Sequence, residues 1–341
     1  LVVRAAHAGS PAVTDLPYLA LLAKMAAMFV VMGAGWWMRR SGWLGAGMTP
    51  PLSRLIIHVA FPCLTLDQML RTLDRSALQQ SVPLLVMGLL VMLLSALVGW
   101  GLFRGGSLTP ARRRTGAFLV TVPNWIFLPL PLAQSLAGDV GTRTILLLNV
   151  PAQLILWTVA LALLRGSWRG AHGLRSLAVN PGLLATLAGI ALAILFPSSG
   201  QWHASVSPLG IALQGIAMVG SLTVPLSLLV TGVQLAETQL AETRLVQTAP
   251  AALGRVLVGR LLVAPLLCVM LIEWGGRLMG LDEPTRLVTC IVAAMPIAVT
   301  CGLFVERYGG DLDLASQGIL LSTVASLLSV PAVVALVGWM R

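Results

Sequence analysis

The sequence predicts an all-α membrane protein of about ten transmembrane helices, set out as two inverted five-helix repeats with broken, crossing helices 4 and 9. Three observations carry that prediction. Of the 341 residues 57% are hydrophobic and only 10% charged, with mean hydropathy +0.90, whereas soluble domains carry about 25% charged residues. Apolar runs recur, and about 20 such residues suffice to cross about 30 Å of hydrocarbon at helical rise. Prolines and closing aspartates recur in the same order in the two halves of the chain.

Taken in order, the first run, 16–38, is too long for a signal-peptide core and leads into Arg39-Arg40 with no cleavage site, so it is a span. The second, 51–70, carries Pro62, and the third, 80–103, is almost unbroken by polar residues. The fourth, 113–137, holds Pro123, Pro129 and Pro131, and the fifth, 142–164, holds Pro151. After a short basic turn come 181–196, the shortest, and 206–234 with Pro225. The set closes with 251–273, 285–305 around Pro296, and 314–339 around Pro331. Membrane helices tolerate such prolines where neighbours satisfy the freed carbonyls.

The repeat rests on matched positions. Pro62 pairs with Pro225 and Pro123 with Pro296, while Asp139 and Asp311 close the fourth and ninth spans and Pro151 and Pro331 sit inside the fifth and tenth. Inverted repeats of this kind mark many secondary transporters. The expected units are an N-terminal repeat over 1–164, a cytoplasmic linker at 165–180 and a C-terminal repeat over 181–341. With the N-terminus outside, thirteen arginines fall in cytoplasmic connections and seven in outer ones. The positive-inside rule therefore places both termini outside the cell inner (plasma) membrane of a multi-pass protein.

Composition also excludes functions. The net charge of +10 is spread singly and in short clusters between spans, not gathered on one face, so no nucleic-acid partner is expected. One lysine, Lys24, without a GK pair rules out a Walker A loop, and its position near a span end suits snorkelling. The four histidines are scattered, no HExxH or GxSxG occurs, and Cys63, Cys268, Cys290 and Cys301 show no metal-ligand spacing. The expectation is no enzyme, no metal and no cofactor.

The chemistry concentrates at 120–139, VTVPNWIFLPLPLAQSLAGD. Pro123 lies about ten residues into its span, near the midplane, and three prolines interrupt the helical ladder there. Unpaired backbone survives at that depth only inside protein or beside a wet cavity. Asn124 sits at the break with an amide that donates and accepts, and Pro296 lies at comparable depth in VAAMPIAVTCGLF. Two half-helix N-termini meeting there would favour an anion, while ordinary proline kinks are the plainer alternative. Asn149 and Gln153 share a helical face at i and i+4 and suit either substrate contact or interhelical bonding. Gln134, Thr300, Ser322 and Thr323 share that ambiguity. Asp67, five residues after Pro62, reads either as a proton-coupling carboxylate or as a solvated helix end beside Arg71, and Glu273 reads as interfacial.

Several stretches together resemble the auxin efflux carrier family, which includes plant PIN auxin exporters and bacterial malonate and malate permeases. They are FVVMGAGWWMRRSGWL, LSRLIIHVAFPCLTLDQM, PNWIFLPLPLAQSLAGD, VPLSLLVTGVQLA and MPIAVTCGLFVERYGGDLDLASQGILLSTVASLLSVP, in order along nearly the whole chain. The resemblance implies a scaffold of helices 1, 2, 6 and 7 beside a transport unit of helices 3–5 and 8–10. It implies elevator-type alternating access and a small organic anion, a mono- or dicarboxylate, as substrate. Carried over, its crossover residues are Pro123, Asn124 and Pro296; Ile297 stands where plant members have a second asparagine. A proton or sodium ion is a possible coupling partner and a homodimer a possible assembly. The alternative is a membrane-embedded ligand sensor or regulatory subunit without transport, though no soluble output domain is visible.

Overall fold

The computed structural model describes residues 18–45, 47–73, 75–105, 108–167, 180–196, 202, 207–241 and 250–340. Among them there is no strand, and helices follow one another with short joints. Helix α1 is Tyr18–Arg40. Helix α2 runs over 49–72 as Thr49–Leu55, a π-helical turn Ile56–Ala60, and Phe61–Thr72. Next come α3 (Arg75–Phe103) and α4 (Pro110–Thr121). Helix α5 starts at Pro129, kinks at Gly138 (φ 54°, ψ −135°), and continues to Ile155, through a π turn Leu156–Ala160 and on to Arg165. The fourth and fifth predicted spans are thus joined at this kink without a loop, because only glycine adopts that backbone conformation without strain.

The second half opens with α6 (Pro181–Leu195), then α7 (Pro208–Ser221) and α8 (Thr223–Ala241). Helix α9 comprises Pro250–Val258, a π turn Gly259–Val263 and Ala264–Leu278. It is followed by α10 (Glu283–Ala294), α11 (Cys301–Arg307) and α12 (Leu312–Trp339). Among the described residues, five stretches are long and apolar enough to cross a bilayer: Ser81–Phe103, Pro129–Arg165, Pro208–Glu237, Pro250–Leu278 and Leu312–Trp339. Most of the predicted linker, like residues 1–17, lies outside the described residues.

Local chemistry explains the sharp helix starts. Thr109, Asn180 and Ser207 each cap a helix whose first residue is proline, accepting from the N–H groups of Arg112, Leu183 and Gly210. The cap satisfies an orphan donor and proline there sacrifices none. The π turns in α2 and α9 each precede a proline, Pro62 and Pro265, whose ring clashes with the carbonyl four residues back and widens the preceding turn.

Helix α1 packs along α8 at backbone contact. A Cβ at Gly232 would strike the Met32 carbonyl and one at Gly35 the Leu229 carbonyl, the close approach that small residues permit between membrane helices. Lys24 does not simply reach outward: its Nζ donates to the Ser135 carbonyl at 2.9 Å. Glu273, expected at the interface, is 2% exposed and paired with Arg277 at 3.2 Å and Arg286 at 3.5 Å. One guanidinium from the next turn of α9 and one from α10 enclose it there, so the carboxylate is compensated without water.

Gly232→Ala is expected to lower stability by about 1–3 kcal/mol through overpacking. Gly33→Ala, whose Cβ meets open space, should stay within about 0.5 kcal/mol. Thermal unfolding of the purified protein in detergent checks both.

Candidate functional site

Helix α4 stops at Thr121 and α5 starts at Pro129; α10 stops at Ala294 and α11 starts at Cys301. The two intervening runs meet and pair antiparallel at Pro123 and Ile297. The Asn124 N–H donates to the Pro296 carbonyl at 2.8 Å, and the Ala298 N–H to the Val122 carbonyl at 3.3 Å. Neither proline can donate, so neither helix can carry its ladder through this level. Part of the backbone released by each interruption is satisfied by the other, as buried backbone requires. A third chain segment completes the joint: the Ile297 N–H donates to the Ser322 hydroxyl of α12 at 3.2 Å, and that hydroxyl donates on to Ile319.

Four helix ends converge here, and they are treated differently. At the C-terminal ends of α4 and α10, the Arg260 guanidinium donates to the Val120 carbonyl at 3.0 Å and to the Ala293 carbonyl. Arg260 is wholly buried, and it comes from the π turn of α9. At the N-terminal end of α5, Asn124 Oδ1 accepts from the N–H groups of Phe127 and Leu128 at 3.2 and 3.4 Å. The N–H groups of Trp125, Ile126, Val299 and Thr300, at the entries to α5 and α11, have no hydrogen-bond partner among the described residues. Uncommitted N–H groups at helix N-termini attract negative charge.

Of the residues carrying these donors, Trp125, Ile126 and Thr300 line a cavity of about 210 Å³, and Val299 lines a smaller one beside it. The crossover lines the larger cavity with Pro123 to Phe127, Ala298 and Thr300. Gln153, Leu156 and Trp157 of α5 and Phe304 of α11 close one side; Ile57 and Phe61 of α2 and Asn180 and Gly182 at α6 close another. The smaller cavity, of about 60 Å³, shares Ile57, Asn124, Phe127, Ala298 and Thr300 with it and adds Ser53 of α2 and Ser227, Thr231 and Gln234 of α8. Neither is lined by a charged side chain. The polar groups are amides and hydroxyls; the rest is apolar or aromatic.

The residues singled out from sequence divide into three groups. Pro123, Asn124 and Gln153 line the larger cavity. Pro296 and Asn149 sit behind it: Pro296 contributes its carbonyl to the crossing, and Asn149, fully buried, accepts from Trp125 Nε1 at 3.2 Å and from Gln153 Nε2 at 3.4 Å. Gln153 in turn accepts from Trp157 Nε1 at 3.0 Å. The i, i+4 amide pair therefore orients the indoles of Trp125 and Trp157, which form part of the wall. Asp67 lines neither cavity; it is 6% exposed and ion-paired to Arg71 at 2.7 Å. Among the described residues no group of three or more His, Cys, Asp or Glu is placed to hold a metal ion.

Arg260 and Asn180 escaped the sequence reading. Arg260 had a signal: it is the deeper of two arginines inside the eighth apolar run, five residues before Pro265. Asn180, before Pro181, carried only the signature of a helix cap, the role its side chain has.

A search of curated proteins returns no match. The family profile described as "Membrane transport protein" matches residues 20–334. Members of that family are transporters, not enzymes, in keeping with a multi-pass membrane chain. With nearly its whole length matched, the chain belongs to the auxin efflux carrier and membrane transport protein family.

Proposed function

We propose that this chain is a secondary carrier for a small organic anion that binds at the crossover. The observation that carries the reading is the set of N–H groups unpartnered among the described residues at Trp125, Ile126 and Thr300, which line the larger cavity, and at Val299, which lines the smaller. A carboxylate there would accept from oriented backbone donors in a site of low dielectric, where such bonds are strong. Phe61, Phe127, Trp157 and Phe304 supply apolar walls. With no cationic side chain in the lining, a second carboxylate would be buried uncompensated, at a cost of several kcal/mol. A monocarboxylate with an apolar body fits this chemistry better than a dicarboxylate.

The larger frame of the proposal is ten helices in two inverted repeats, 1–164 and 181–341 about the 165–180 linker, with both termini outside the plasma membrane. The cavities lie between elements of the expected scaffold (α2, α6, α8) and elements of the expected transport unit (α5, α11 and the crossover). That is the seam along which an elevator movement would slide. Ser53, Asn180 and Gln234, at the start of α2, the start of α6 and toward the end of α8, all reach the cavities, so these open toward the arginine-rich face. By the positive-inside rule that face is cytoplasmic, and the geometry supports an inward-facing state. The driving force is the substrate gradient, the membrane potential, or a coupled proton or sodium ion. Asp67 belongs to this proposal only as a remote coupling group, because it lines neither cavity and is ion-paired to Arg71.

Asn124→Ala is expected to remain folded, losing a cap of about 1 kcal/mol, while flux of a carboxylate in proteoliposomes falls at least about tenfold, as for about 1.4 kcal/mol of lost binding. Undiminished flux rejects Asn124 as a substrate ligand, and binding without any flux in wild-type vesicles points to the sensor alternative. In a thermal-shift comparison, phenylacetate should raise the unfolding temperature more than malonate does. Stabilisation by malonate alone contradicts the neutral-walled monocarboxylate site.

A further inference from the structure

We infer that Arg260 is a positioning residue that ties the two halves of the crossover together and gives the neighbouring site its preference for negative charge. The inference rests on the anion reading above for its second half only. Arg260 is 0% exposed, and its charge is met by no carboxylate among the described residues; its partners are the backbone carbonyls of Val120 and Ala293. By contrast, Arg286, another largely buried guanidinium, faces Glu273. An isolated charge in the membrane interior is costly. It persists here because two helix C-termini converge on it, each equivalent to about half a negative charge. One guanidinium therefore balances two helix ends, and its planar fork lets separate nitrogens reach separate helices, which the point charge of lysine cannot reproduce.

The consequence extends to the cavity. With the C-terminal ends of α4 and α10 neutralised, the unopposed partial charge at the crossover is the positive N-terminal end of α5, whose lead-in residues Trp125, Ile126 and Phe127 line the cavity. Without the guanidinium, two sets of carbonyls would face the same region and repel an anion across low dielectric. The tie would also loosen where α11 begins, at Cys301, a fully buried cysteine whose N–H donates to the carbonyl of the crossover residue Ala298 at 2.9 Å.

The experiment uses the full chain in nanodiscs, comparing wild type with Arg260→Gln and Arg260→Lys. Alkylation by N-ethylmaleimide is followed at each cysteine by mass spectrometry, and binding of phenylacetate is compared with that of neutral phenylacetamide. In Arg260→Gln, Cys301 should label about tenfold faster through local opening, while Cys290, buried in α10 against Glu273, keeps its wild-type rate. Phenylacetate affinity should fall about tenfold, as for about 1.4 kcal/mol, with phenylacetamide changed less than about threefold. Arg260→Lys should restore most of the carboxylate preference but leave Cys301 faster than in wild type. An unchanged Cys301 rate, or an equal rise at Cys290, overturns the tie; an equal loss of both ligands overturns the electrostatic role. If Arg260→Gln does not fold, Arg260→Lys decides: a wild-type Cys301 rate in it overturns the tie. Wild type that binds neither compound defeats the anion reading, while the alkylation rates still decide the tie.

Discussion

Two prolines at the same depth of the molecule impose the constraint on which the rest depends. Pro123 and Pro296 offer no backbone donor, so the α4 and α10 ladders must stop, and the backbone groups released there cannot be left to lipid. Bringing the two interruptions together solves both problems with two hydrogen bonds, Asn124 to Pro296 and Ala298 to Val122. The Ser322 hydroxyl completes the joint from a third helix. Among the described residues the arrangement leaves four N–H groups over, on residues that line the two adjoining cavities.

The electrostatics of the crossover follow from chain direction. Each interrupted pair presents one C-terminal and one N-terminal end to the same level, and opposite partial charges would largely cancel if left alone. A buried guanidinium on the C-terminal ends breaks that symmetry. On the other ends, the Asn124 amide satisfies two donors of α5 while its neighbours stay uncommitted. A site with no charged side chain in its lining can still favour one sign of charge, because backbone dipoles supply the field.

Packing places the walls. The π turns at Ile56–Ala60 and Leu156–Ala160 carry Ile57, Leu156 and Trp157 into the cavity lining, and the one at Gly259–Val263 carries Arg260 to the crossover. A widened turn re-aims the residues on it relative to an ideal helix. The amide pair Asn149–Gln153 holds two indoles by hydrogen bonds, and Trp157 meets Phe304 edge-on at 5.5 Å between ring centres. Apolar walls, fixed amides and the crossover thus form one connected unit from α5 to α11.

Residue chemistry and one-dimensional order were enough to reveal a multi-pass helical chain, the interruptions at Pro123 and Pro296, and the shared face of Asn149 and Gln153. Each follows from a local rule: apolar length, a missing donor, helical periodicity. Only the folded chain decided that the two interruptions touch and that Asn149 lies behind the wall while Gln153 lines it. The same holds for Asp67 being paired with Arg71 outside the cavities and for Arg260 reaching two helix ends. Those outcomes depend on contacts between residues about 170 positions apart, such as Asn124 with Pro296, and on the π turn that carries Arg260. Neither a distance across the fold nor a re-aimed side chain is written in local composition, because both arise from how helices settle against each other.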